Sequence, residues 1–167
     1  VEEVEFDLLE GSPPDEVYQD STFKIILGLK NEMGYSARNI KISINGFDRK
    51  YFELDEVKKD VNIMEGKEVT NPKGDQNYLE FSGKSKLLFL NEKEKKNIFS
   101  INAEYETSLT YAESVCLNPF TYSVQEQGCK VDTSKSYSGQ GGPLAIAKLE
   151  QVMIPGDGAE VEFRLKL

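Results

Sequence analysis

The chain has 167 residues and a formal net charge of −9, with 20 lysines and arginines against 29 aspartates and glutamates. Hydrophobic residues make up 38% and aromatics 10%, enough to bury a core in one large domain, or in one domain plus part of a neighbour. The acidic balance disfavours a nucleic-acid partner. The absence of histidine removes Ser-His and Cys-His nucleophile pairs, imidazole metal ligands and the usual pH switch.

The dominant pattern is alternation with period two, and turn residues punctuate it. Residues 4–9 form a weak first strand, closed by Gly11-Ser12-Pro13-Pro14. An acidic group, Asp15, Glu16 and Asp20, precedes the second strand. There Phe23, Ile25, Leu27 and Leu29 point one way, and Lys24, Ile26, Gly28 and Lys30 the other. Asn31-Glu32-Met33-Gly34 reverses the chain. Asn31 is read as bonding its own backbone, and Gly34 as supplying a positive φ. Ile40, Ile42 and Ile44 form the next row, ended by Asn45-Gly46.

Beyond it, residues 51–54 are a weak strand, and residues 53–59 could make one or two helical turns, with too few apolar positions for a core-facing stripe. Asn71-Pro72-Lys73-Gly74-Asp75 is a break before a strand at 78–81. A further strand is predicted at 86–90. Its Leu87-Leu88-Phe89-Leu90 is the longest apolar run, far below the roughly 20 residues of a membrane span. Glu92-Lys93-Glu94-Lys95-Lys96 reads as a solvated loop. Phe99, Ile101, Ala103 and Tyr105 alternate, and residues 109–116 and 145–152 are weaker strands. Val161, Phe163, Leu165 and Leu167 alternate with Glu162, Arg164 and Lys166.

The stretch Ser138-Gly139-Gln140-Gly141-Gly142-Pro143 has linker composition. It lacks the Lys-Ser/Thr of a phosphate loop. The division expected is residues 1–138, a Gly-rich linker or loop at 139–143, and two further strands in 144–167. Those strands either complete the first sheets or begin a truncated second copy, since strand, proline break and strand recur in the same order at both ends. No signal peptide opens the chain. The expectation is a cytosolic protein or a mature or excised piece of a longer precursor.

The residues Asn31, Gly34, Ala37, Asn39 and Ile40, within 21–44, resemble the core of the CARDB and NEW3-type immunoglobulin-like domains. These are common in archaeal and bacterial surface proteins, often in tandem. The resemblance implies an immunoglobulin-like antiparallel β-sandwich and no shared catalytic residues. Extra length at 50–75 and 118–140 implies long loop insertions.

Cys116 and Cys129 are the only cysteines. A disulfide closing the loop 117–128 is the expectation, worth roughly 3 kcal/mol in the chain-entropy model; two free buried thiols are the alternative. The bridge implies an oxidising, extracellular setting, and two thiols without histidine do not make a zinc site. The carboxylates at Asp15, Glu16 and Asp20, at Asp55 and Glu56, and at Asp157 and Glu160 show no calcium-loop spacing. Of the eight tyrosines, Tyr18, Tyr35, Tyr51, Tyr78, Tyr105, Tyr111, Tyr122 and Tyr137, several sit in or beside loops, and they suit either a sandwich edge or carbohydrate or protein recognition.

The sequence therefore reads as an all-β, immunoglobulin-like sandwich without enzymatic activity or cofactor. It would be a structural or adhesive module of a larger cell-surface protein, array or filament. The alternative is a carbohydrate- or calcium-binding accessory module. The partners implied are neighbouring domains or protein subunits and glycans. An edge strand, or the segments 1–9 and 161–167, would pair with the next subunit.

Overall fold

A computed structural model describes residues 2–117, 129–154 and 160–167. The loop bearing Asn118, Pro119 and Tyr122, and the break bearing Pro155, Gly156 and Asp157, lie outside the described residues. Those residues form ten strands and no helix: β1 (Val4–Leu8), β2 (Thr22–Asn31), β3 (Ala37–Asn45), β4 (Phe52–Leu54), β5 (Lys58–Met64), β6 (Gln76–Ser85), β7 (Ser100–Thr107), β8 (Ser134–Ser136), β9 (Lys148–Ile154) and β10 (Glu160–Lys166). Every pairing among them is antiparallel. The chain forms two compact units, Glu2–Ser108 and Leu109–Leu167.

The first unit contains two sheets, ordered β1-β2-β6-β4 and β5-β3-β7. Their inner rows supply one core cluster, including Phe23, Ile25, Leu27 and Leu29 of β2, Ile40, Ile42 and Ile44 of β3, and Phe81 of β6. Two sheets sharing one apolar core are consistent with a β-sandwich. The period-two rows of the sequence are thus the rows that meet. One bend breaks the period. The register of β3 against β7 shifts between Arg38 and Lys41, Asn39 takes φ 50, and Ala37 and Ile40 on either side are both buried, as a β-bulge allows. At the far end Phe47 stacks on Phe99 with centroids 4.9 Å apart, and Phe23 meets Phe52 edge-on at 6.0 Å.

Three expected elements differ. Residues 53–59 are not helical but run through β4 into β5, since the strands beside them supply backbone partners that outweigh weak helix propensity. Residues 86–90 and 109–116 are not strands. Leu87, Phe89 and Leu90 are exposed, and an apolar run without a neighbouring ladder has nothing to pair with. The solvated loop predicted at 92–96 is irregular and exposed.

The second unit contains one sheet, ordered β10-β9-β8. β9 and β10 pair along seven positions, from Lys148↔Lys166 to Ile154↔Glu160. Residues 139–143 lie within this unit, between β8 and β9. Gln140 explains why β9 begins at Lys148 rather than near 145. Its side-chain Nε2 donates to the Ile146 carbonyl and its Oε1 accepts from the Ile146 N–H, both at 2.9 Å. The side chain replaces a neighbouring strand at that residue. Leu149 and Gln151 are buried here.

Candidate functional site

Three places gather polar groups: the Asn31 turn, the cleft beside it, and the region around the disulfide. Asn31 continues the inward row of β2 and is fully buried. Its Nδ2 donates to the carbonyls of Tyr35 and Met64, each at 2.9 Å, and its Oδ1 accepts from the Met33 N–H at 3.0 Å. Its backbone N–H donates to the Asp75 carbonyl at 2.9 Å. The side chain therefore closes the turn, as read from the sequence, and also fastens it to the end of β5.

Gly34 lies in this turn but does not carry the positive φ expected of it; among the described glycines Gly11, Gly46, Gly74, Gly139 and Gly141 do. The glycines that the turn requires are Gly66 and Gly74. A Cβ on Gly66 would stand 2.6 Å from the Met33 carbonyl oxygen and from the Tyr35 nitrogen. One on Gly74, which has φ +69, would stand 2.0 Å from the Asn31 carbonyl oxygen. No spacing in the sequence connects positions 66 and 74 to 31. The contact exists only once β5 and the following loop fold back.

An open cleft of about 480 Å³ adjoins this turn, lined in part by Tyr35, Ser36, Arg38, Glu68 and Glu106. Several of its polar groups are engaged with one another or with side chains beside the cleft. Ser36 Oγ donates to Glu65, Thr107 Oγ1 donates to the Ser36 carbonyl at 3.1 Å, and Asn39 Nδ2 donates to Glu106 at 3.0 Å. The first ties the turn to the residue after β5, the second holds it against β7, and the third joins β3 to β7.

In the second unit Cys116 and Cys129 form a disulfide, with Cα atoms 5.8 Å apart, so the alternative of two free thiols is set aside. Gln151, buried on β9, donates from Nε2 to the Cys116 carbonyl at 2.9 Å. A smaller hollow of about 220 Å³ adjoins the bridge, with Lys130, Asp132 and Lys135 on its wall. Nearby, Tyr111 Oη donates to Glu113 at 2.9 Å, and Lys135 Nζ donates to Glu113 at 3.2 Å and to the Ser114 carbonyl at 3.0 Å. The rings of Tyr111 and Tyr137 meet at 5.1 Å. The Tyr111 hydrogen bond and then Lys135 hold the Glu113 carboxyl below its ordinary range. Burial, with Tyr137 and the Glu113 charge beside it, raises the Tyr111 phenol.

Of the acidic groups singled out in the sequence, Asp20 pairs with Lys84 at 3.1 Å and Glu56 with Lys59 at 3.2 Å. Among the described residues no three Cys, Asp or Glu side chains come together as a metal site. No helix among them is long and apolar enough to cross a membrane. Comparison with family models, with curated proteins and with solved structures finds no match to the chain.

Proposed function

We propose that this chain is a non-enzymatic, immunoglobulin-like structural or adhesive module of a larger extracellular protein, working by presenting and joining surfaces in an array or filament. The observation that carries this reading is the character of two sheet edges. Among the described residues, β1 and β10 each close a sheet with one side unpaired. They carry exposed apolar side chains there, Phe6 and Leu8 on β1 and Phe163 and Leu165 on β10. Unpaired N–H and C=O groups beside apolar side chains favour contact with another polypeptide. The Cys116–Cys129 bridge supports an oxidising compartment.

A second reading, a carbohydrate-binding accessory module, has in its favour the exposed rings of Tyr18 and Tyr78. A thermal-shift screen separates the two, because a ligand that binds only the folded state raises its stability. The surface-joining reading expects an unchanged melting temperature with calcium chloride and with a panel of mono- and oligosaccharides. Stabilisation by calcium or by any sugar would overturn it in favour of the accessory module.

A further inference from the structure

The sheet of the second unit ends in an edge strand whose sequence is complementary to itself. We infer that β10 pairs antiparallel with β10 of a second copy, about a two-fold axis at Phe163, giving a symmetric dimer with one continuous sheet. The inference rests on the surface-joining reading and names the partner.

The backbone comes first. The Gln151 N–H donates to the Thr133 carbonyl, so the Gln151 peptide groups face β8. Hydrogen bonding alternates sides along an antiparallel strand, so those of Glu150 face β10, where Glu150 stands opposite Arg164. By the same alternation Glu160, Glu162, Arg164 and Lys166 bond to β9, while Val161, Phe163 and Leu165 present their N–H and C=O groups to the free edge. Pairing about Phe163 sets Phe163 against its copy and Val161 against Leu165, so the outward groups meet in about six hydrogen bonds.

The side chains agree with that register. One face of β10 carries Val161, Phe163 and Leu165, with Phe163 45% and Leu165 61% exposed; across the axis these meet one another. The other face carries Glu160, Glu162, Arg164 and Lys166. About the same axis Glu162 meets Arg164 of the second copy and Glu160 meets its Lys166, each an opposite-charge pair. A slip of one residue sets Phe163 against a charged residue and turns the apolar row to the wrong face. β1 cannot do the same, since its charges, Glu5 and Asp7, are both acidic. A heterologous pairing of β10 with β1 of the next copy would match Asp7 with Arg164 and Glu5 with Lys166. It would use only the five residues of β1 and give Glu160 and Glu162 no basic partner on the second copy, leaving Glu162 only the Arg164 of its own strand. Self-pairing engages all seven residues of β10 and closes as a two-fold contact.

Sedimentation equilibrium of the whole chain, from micromolar to millimolar concentration, tests this. The expected result is a monomer–dimer equilibrium with nothing larger. Glu162→Arg sets like charges together on both sides of the axis and weakens the dimer by at least about tenfold; Glu162→Arg combined with Arg164→Glu restores it. Phe163→Cys forms a disulfide-linked dimer under mild oxidation, because facing Cα atoms in such a pair lie about 5.5 Å apart. Lys166→Cys does not, its copy lying about 20 Å away along the strand. Melting curves of each variant confirm the fold.

A monomer throughout, a dimer indifferent to Glu162→Arg with no Phe163→Cys cross-link, or growth beyond dimers that Asp7→Arg abolishes would each overturn the inference. The surface-joining reading is judged by the ligand screen, so these failures are told apart from its own.

Discussion

Asn31 shows how one polar side chain can fix a junction between elements. Its amide bonds to three peptide groups, those of Met33, Tyr35 and Met64, in a site that excludes water. Replacing it leaves those groups buried without partners, at about 1–3 kcal/mol each. Asn31→Ala is therefore expected to lower stability by about 3 kcal/mol or more, seen as a lower midpoint in urea with little change in slope. A midpoint equal to that of the unaltered chain would mean that water or a shifted backbone satisfies the three groups. The residue was visible in the sequence as a turn former. Its core role emerges only in the structure, where it occupies the next position of the row Phe23, Ile25, Leu27, Leu29. A buried polar residue at the end of an apolar row signals such a junction. The partners it holds could not be read, because Met64 and Asp75 are brought to it only by the return of β5 and β6.

At the scale of elements, the second unit depends on its bridge and its ion pairs. Its sheet has three strands and, among the described residues, Leu149 is its buried apolar side chain. Small sheets need staples. A bridge across a sequence separation of 13 should contribute roughly 3 kcal/mol by restricting the unfolded chain. Cys116→Ser with Cys129→Ser, or reduction of the native chain, is expected to remove amide-exchange protection from β9 and β10. The core strands β2, β3 and β6 should keep theirs. Equal protection with and without reductant would contradict this.

Acid should weaken the same unit. Glu113 is held low by Tyr111 and then Lys135, Glu150 by Lys148, and Glu162 by Arg164. A carboxylate whose folded value lies below its unfolded value stabilises above the unfolded value. That contribution is lost as pH falls from about the ordinary 4.5 through the lowered folded value. The melting temperature should therefore drop as pH descends through this window, and Glu113→Gln should show a shallower drop. Parallel curves for the two proteins would remove Glu113 from the account.

For the whole molecule, the all-β class and antiparallel pairing were legible in the sequence, because half-buried strands write their burial as alternation. The strongest rows, at β2, β3, β7 and β10, all became strands. Legibility failed where pairing rather than pattern decides. Leu87, Phe89 and Leu90 look like a strand and find no ladder, and Gln140 supplies Ile146 with a partner from a side chain. The disulfide was legible from the even cysteine count and the polar loop between the two. The cleft beside Tyr35 was not, because its walls come from β3, β7 and the loop after β5.

The hydrogen on the Met33 nitrogen faces the carboxamide oxygen of Asn31 inside the core. Solvent can reach it only when the β2 row and the turn separate together. That single site should thus serve as an internal gauge of the first unit: the slowing of deuterium entry there reports the free energy of the opening that exposes it.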